Sequence, residues 1–213
     1  MEKCTLNFVG NDYGFGNRNT SAYIEEDNEL FIIDCGFTVF NEIKKRFDFT
    51  KYKKINIIIT HLHNDHAGSL SQFILYLWFL YKIKANVISS CTNIKQYLDI
   101  TGTMPEAYIL KTELNNVKFI KTDHVKYLDS YGIFLIFNNK KLLYTGDTCS
   151  LNVFLPYINE IDEFYIDLSK YGGAHIKIDE VKNNLKEIKN KGIKIIPIHI
   201  DDKEYIEKII NSL

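Results

Sequence analysis

Three histidines and one aspartate lie in a single six-residue segment, at His61, His63, Asp65 and His66. Imidazole and carboxylate groups are ligands for borderline metals such as zinc. His61 and His63 are two residues apart, so both rings point the same way if the backbone there is extended. Asp65 and His66 come after the chain has begun to turn, and they can face a second point. Two ligand pairs separated by a turn predict two metal ions, ~3.5–4 Å apart as in two-metal hydrolases.

Two apolar runs flank this segment and would position it. Residues 55–59 ahead of it predict a buried strand, and residues 73–81 after it predict a core helix. Nine residues are too few to span a bilayer, which needs ~20. We therefore predict no membrane contact. The run has no polar stripe, so an apolar surface that forms a homodimer or faces a membrane is the alternative.

Three further candidate ligands each follow a predicted strand, where loops often hold functional residues. His124 follows a strand over residues 117–121, Asp147 follows one over 141–145, and His199 follows one over 193–198. Taken alone, each is more often a turn residue that makes hydrogen bonds. Together they supply the ligand types that the segment 61–66 lacks.

The H-x-H-x-D-H pattern after an apolar strand resembles the signature of the metallo-β-lactamase superfamily, and the order of the other motifs extends the resemblance over nearly the whole chain. Strands that alternate with helices also predict sheets covered by helices. The resemblance implies an α/β (α+β) fold, a four-layer αββα sandwich in one domain over residues 1–213. It places the site at the sheet edge where the loops gather.

The resemblance also implies a role for each candidate. It gives two divalent metal ions seven ligands: His61, His63 and His124 for the first, Asp65, His66 and His199 for the second, and Asp147 as the bridge. Zinc is the expected metal, with manganese or iron open because nitrogen and oxygen ligands accept all three. Asp34 matches an early aspartate that supports the metal turn by fixing ring orientation.

Four residues outside the ligand set are candidates for catalysis or substrate binding. His175 resembles a histidine that contacts the scissile phosphate in the ribonuclease Z and small-phosphodiesterase branch, although Ile176 replaces the usual small hydroxyl residue after it. A capping or surface histidine is the alternative. Asp167 and Tyr171 are candidates for contacts with substrate or for support of the site. Arg18, in the glycine-rich loop 10–19, could receive an anion; a flexible surface loop is the alternative.

These residues predict hydrolysis by a hydroxide shared between two cations, whose charge lowers the pKa of water toward ~7. Asp65 or Asp147 would orient the hydroxide, and His175 would steady the phosphate or protonate the leaving group. The chain between Asp147 and His199 has room for one strand-helix-strand unit, and not for a clamp domain or an arm that holds transfer RNA. The net charge of −1 offers no basic surplus for a large nucleic acid.

We therefore predict a small phosphodiester substrate, such as a cyclic nucleotide, a cyclic phosphate or a short oligonucleotide. A lactone or thioester, with its acyl chain held by the apolar run 73–81, is the second hypothesis. A metal-binding scaffold without catalysis is the third.

The composition is that of an ordinary globular protein, with 46% hydrophobic and 25% charged residues in 213. No repeat or linker marks a domain boundary. The four cysteines show no C-x-x-C pair and fit a reducing cytoplasm. Residues 1–4 lead directly into a short strand, so we predict a cytoplasmic protein with no signal peptide.

Overall fold

A six-stranded sheet and a five-stranded sheet lie in separate halves of the chain. The computed structural model describes residues 4–213. The N-terminal unit comprises residues 6–114, and the C-terminal unit comprises residues 115–213 together with residues 4 and 5. The prediction of no signal peptide rests partly on residues 1–3, which lie outside the described range.

The sheet of the N-terminal unit runs in sequence order. Its strands are β1 (Asn7–Gly10), β2 (Ser21–Glu26), β3 (Glu29–Ile33), β4 (Lys54–Ile58), β5 (Ala85–Ile88) and β6 (Tyr108–Lys111). Strands β1 to β3 pair antiparallel, and β3 to β6 pair parallel. Four of the five residues of β4 are buried, as expected of a central parallel strand covered on both faces. Because β3 and β4 are parallel with Ile33 opposite Ile58, the residues after both strands meet at one edge of the sheet.

Helices and turns of the N-terminal unit follow its strands. The helices are α1 (Val39–Arg46), α2 (Asn64–Ala67), α3 (Leu70–Tyr76) and α4 (Ile94–Ile100), with 3₁₀ turns at Phe49–Lys51 and Pro105–Ala107 and a π-helical turn at Leu77–Tyr81. The helix predicted over 73–81 therefore begins earlier and changes its winding at residue 77. Phe73 and Leu77 are buried, whereas Phe79 and Leu80 are more than half exposed. The homodimer alternative for this surface stays a prediction.

The sheet of the C-terminal unit has the order β11-β10-β9-β8-β7. Its strands are β7 (Val117–Lys121), β8 (Tyr131–Phe137), β9 (Lys140–Tyr144), β10 (Glu163–Asp167) and β11 (Lys194–Ile198). Its helices are α5 (Ile178–Asn190) and α6 (Lys203–Ser212), with a 3₁₀ segment at Asn152–Glu160. Strands β9, β10 and β11 are parallel, so Asp147, Asp167 and His199 come to one edge. Strand β7 pairs antiparallel with β8, and β8 with β9, so the residues after β7 reach the same edge.

The apolar core of this unit lies between the sheet and its helices. Phe154, Phe164, Ile178, Leu185 and Ile206 belong to one cluster of buried side chains. Burial of such side chains, at about 25 cal/mol per Å² of apolar surface, is what holds the helices on the sheet.

The mixed α/β class is confirmed by the two sheets and six helices. The layer order and the single domain over residues 1–213 stay predictions. Strand β6 and the one-turn helix α2 were not predicted. Among residues 4–213, no helix is both long and apolar enough to cross a membrane. All four cysteines lie in that range and have free thiols.

Candidate functional site

Asp34 organises the ligand cluster of the N-terminal unit. It follows β3, has a positive φ of 62° and is fully buried. Its carboxylate accepts hydrogen bonds from the Thr60 N–H (2.8 Å), the Thr60 hydroxyl (2.8 and 3.0 Å) and Nδ1 of His66 (2.8 Å). Burial raises the pKa of Asp34, and the nearby His66 opposes that rise. Asp34 thus connects the end of β3 to Thr60 and to His66. Its role as a support for bound metal stays a prediction.

The bonds to Asp34 determine which ring nitrogens can bind a metal. His66 donates from Nδ1, so its Nε2 carries the lone pair and lies 3.2 Å from Oδ2 of Asp65. The Thr60 hydroxyl donates to Asp34 and can accept from Nδ1 of His61 at 3.1 Å. With the proton on Nδ1, the lone pair of the His61 ring is on Nε2. This atom lies 3.1 Å from Nδ1 of His63. The extended backbone predicted here ends at His63, which precedes the first residue of α2.

The ligand cluster of the C-terminal unit is centred on Asp147. Its Oδ2 lies 3.7 Å from Nε2 of His124 and 3.5 Å from Nε2 of His199. His124 donates from Nδ1 to the carbonyl of Ala174 at 2.9 Å, which leaves Nε2 as its lone pair. His199 has a positive φ of 55°. Such a backbone is uncommon for a residue other than glycine and concentrates at functional sites.

A second acid and histidine adjoin this cluster. Asp167 is fully buried, and its Oδ2 accepts from the N–H of Thr148 (3.0 Å) and from Nδ1 of His175 (2.8 Å). The ring of His175 stacks on that of His199, with centroids 4.5 Å apart and planes 19° apart. Ligand atoms of Asp167, His175 and His199 all lie within 4.8 Å of one another.

The donor atoms fit divalent cations. Two ligands ~2 Å from a tetrahedral ion lie about 3.3 Å apart, close to the 3.1 to 3.7 Å between the atoms described above. Lone pairs facing each other at such distances repel unless a proton or a cation lies between them. A hydrogen bond at Nδ1 also fixes the rings of His61, His66 and His124. Histidine ligands in protein metal sites are usually held in this way through the nitrogen that does not bind the metal.

The structure places the predicted residues in two groups. His61, His63, Asp65 and His66 cluster in the N-terminal unit, and His124, Asp147 and His199 cluster in the C-terminal unit. With His175, the two groups contain all six histidines of the chain. The assignment of each ligand to a particular ion stays a prediction.

The substrate candidates have different environments. Arg18 is exposed, and its N–H donates to Oδ2 of Asp12. Tyr171 is exposed, with Nζ of Lys170 5.3 Å from its ring centre. Asp167 has no exposed surface, so its contacts favour support of His175 over contact with substrate. Thr60 and Thr148 were not predicted, because their bonds to Asp34 and Asp167 depend on how strands that are distant in sequence pair.

Comparison with solved structures decides the fold. The metallo-β-lactamase fold protein YhfI from Bacillus subtilis superposes with a TM-score of 0.79 at 16% identity, over 97% of this chain and 91% of YhfI. The chain has a metallo-β-lactamase fold. Human tRNase Z, short form, shares this fold with a TM-score of 0.70 at 14% identity, over 93% of each chain.

Sequence comparisons add a more specific likeness within the metallo-β-lactamase fold. A family model described as Anti-Pycsar protein Apyc1 matches residues 4–98, which include the segment 61–66. The Anti-Pycsar protein Apyc1 of Bacillus phage 010DV004 is 24% identical over 85% of this chain and 84% of its own length.

Proposed function

We propose that this protein is a metal-dependent hydrolase of small phosphodiesters, with cyclic nucleotides as the first substrate class to test. The fold is shared with tRNase Z, which is by name a nuclease, and nucleases cleave phosphodiesters. The likeness to Anti-Pycsar protein Apyc1 is the reason to test cyclic nucleotides first.

We propose that the seven predicted ligands bind two divalent cations, with zinc expected and manganese or iron as alternatives. Bound cations would lower the pKa of a coordinated water and take up charge on phosphoryl oxygens. Asp34 accepts from Nδ1 of His66, and the Ala174 carbonyl accepts from Nδ1 of His124, so Nε2 of each ring is the nitrogen that would bind a metal.

The pair of His175 and Asp167 is the observation that favours a phosphodiester, and not a lactone or thioester, as the substrate. Nδ1 of His175 donates to Asp167, and a quarter of this side chain is exposed, so we assign contact with substrate to its Nε2. Once protonated, Nε2 could donate to a phosphate oxygen or to the leaving group. Oδ2 of Asp167, 2.8 Å from Nδ1, holds the ring in the orientation that this role requires.

Substrate assays on the metal-loaded protein separate the three hypotheses. We expect turnover of bis(p-nitrophenyl) phosphate and of nucleoside cyclic phosphates. Turnover of lactones or thioesters without any phosphodiester turnover would support the second hypothesis instead. Full metal occupancy with no hydrolysis of either class would support a scaffold.

Two variants separate metal binding from acid catalysis. His63→Ala should lose metal and activity together, whereas His175→Ala should keep its metal and lose phosphodiester turnover. Lys186→Ala, an exposed substitution on α5, is the matched control and should change neither. Metal content by mass spectrometry and initial rates are measured on the same samples. Unchanged kinetics in His175→Ala would remove that residue from the mechanism.

A further inference from the structure

The loop between β1 and β2 follows a fixed path. The N–H of Asp12 donates to the Arg18 carbonyl, and its Oδ2 accepts from the Arg18 N–H, both at 2.9 Å. Buried Asn19 donates from Nδ2 to the Gly14 carbonyl at 3.3 Å and from its N–H to Oγ1 of Thr38 at 2.8 Å. These bonds argue against a freely flexible surface loop.

The tip of this loop packs against a predicted metal ligand one residue before an exposed aromatic side chain. A Cβ on Gly14 would lie 2.9 Å from Oδ2 of Asp65, so the loop backbone packs directly on that carboxylate. The next residue, Phe15, is 94% exposed. Tyr13 meets the Phe15 ring edge-on, with centroids 6.0 Å apart, and its carbonyl accepts from the Gly16 N–H. The turn thus presents the ring to solvent in a defined position.

The C-terminal unit has the same association of exposed rings with site loops. Among the described residues, the most exposed large apolar side chains are Tyr127 (95%), Phe15 (94%), Ile100 (77%) and Tyr171 (70%). Tyr127 follows His124 by three residues, and Tyr171 precedes His175 by four. Single exposed apolar residues are ordinary on protein surfaces. Phe15, Tyr127 and Tyr171, however, all lie on loops that also carry candidate site residues. This concentration suggests that the exposed rings have a function at the site.

We infer that Phe15 stacks on the nucleobase of the substrate, an inference that rests on the proposed function. The ligand class is then a nucleoside cyclic phosphate or a short nucleotide diester, and not a phosphodiester without a base. Phenylalanine has no polar group with which to distinguish one base from another. Stacking on its ring is tolerant of base identity because every base has a π face.

Equilibrium binding tests this role without requiring catalysis. The metal-loaded protein is titrated by calorimetry with a slowly hydrolysed nucleoside 3′,5′-cyclic phosphorothioate, and with the 1-deoxyribose analogue that lacks the base. Phe15→Ala should weaken the first ligand about 10-fold and the second less than about twofold. Phe15→Trp should bind the first ligand as tightly as the wild type does. Phe15→Leu, which is apolar but has no π face, should bind it as weakly as Phe15→Ala. Phe79→Ala, an exposed phenylalanine on the π-helical turn, is the control and should bind both ligands as the wild type does.

Three binding outcomes would overturn the inference: equal weakening of both ligands, no weakening of either, or a wild-type protein that does not prefer the ligand with a base. Hydrolysis of the corresponding oxygen compounds is measured in parallel. Cleavage with no dependence on the base keeps the proposed function and overturns the stacking role of Phe15. Base-dependent binding without cleavage upholds the stacking role and overturns the proposed function.

Discussion

Nδ1 of His175 lies 2.8 Å from Oδ2 of Asp167, a carboxylate with no exposed surface. The N–H of Thr148 donates to the same oxygen at 3.0 Å. Burial raises the pKa of Asp167, and the hydrogen bond with His175 opposes that rise. The carboxylate therefore fixes the orientation of the ring and which of its nitrogens carries the proton.

This pairing predicts that Asp167 and His175 act as one unit. Asp167→Asn should lower kcat by about 10- to 100-fold, the usual cost of losing a carboxylate that orients a histidine. In the double variant with His175→Ala, the loss should equal that of His175→Ala alone, because Asp167 would act only through the ring. The four proteins are compared by kcat and by metal content. Additive losses would mean that Asp167 acts independently, for example through His199, whose Nδ1 is 3.9 Å from Oδ1.

Metal binding should also be visible in stability, apart from any activity. A ligand at 100 times its dissociation constant stabilises the folded state by about 2.7 kcal/mol, which corresponds to a rise of about 5–10 °C in Tm for a chain of this size. We expect that rise when zinc is returned to EDTA-treated protein, with two ions bound per chain. His63→Ala in one unit and His199→Ala in the other should each reduce it, whereas Lys186→Ala should not. If the rise survives in both histidine variants, the metal binds elsewhere.

Much of this arrangement followed from local sequence patterns. The apolar run of β4 and the spacing of His61, His63, Asp65 and His66 are local, so they predict a strand and then a turn rich in ligands. His199 could also be placed, because residues that follow parallel strands come to one edge of a sheet.

Other contacts depend on strand pairing and could not be predicted from local sequence patterns. Thr60 bonds to Asp34 only because β3 and β4 pair in a particular register, and Thr148 bonds to Asp167 across 19 residues of chain. Strand β6 is only four residues long, and periodicity alone does not distinguish so short an apolar run as a strand. The fixed path of the loop 10–19 comes from Asp12 and Asn19, whose side chains bond to backbone groups that composition does not reveal.

Asp34 should be as important for stability as for metal binding. Asp34→Ala removes the acceptor of three hydrogen-bonding groups in a fully buried position, and loss of a buried partner of this kind costs ~3–5 kcal/mol. Asp34→Asn should cost less, since asparagine keeps one acceptor and tolerates the positive φ. Urea unfolding in EDTA measures this without a metal contribution. Equal stability of both variants and the wild type would contradict the role of Asp34 in the turn. Glu187→Ala, on the exposed face of α5, is the control and should change the free energy of unfolding by less than about 0.5 kcal/mol.

Glu29 provides a test of electrostatic stabilisation far from the ligand clusters in sequence. It lies opposite Lys54 in the register of β3 and β4, accepts from Lys54 Nζ, and accepts from Nδ2 of Asn56 at 3.0 Å. Burial raises the pKa of Glu29, but the hydrogen bonds from Lys54 and Asn56 outweigh it and hold the pKa below its ordinary value of 4.5. A depressed pKa stabilises the fold above the unfolded-state pKa, and that stabilisation is lost as the pH falls through the folded-state value.

Glu29→Gln should therefore lower the free energy of unfolding at pH 7 by about 0.5–1 kcal/mol, the scale of a partly exposed ion pair. The difference from the wild type should be fully present above the unfolded-state pKa and should shrink as the pH falls through the lower folded-state pKa, where the wild-type carboxylate becomes protonated as well. Urea unfolding at pH 7, 5 and 3 measures it, with Glu187→Gln on the exposed face of α5 as the control. A difference that persists undiminished at pH 3 would assign the stabilisation to packing of the side chain and not to its charge.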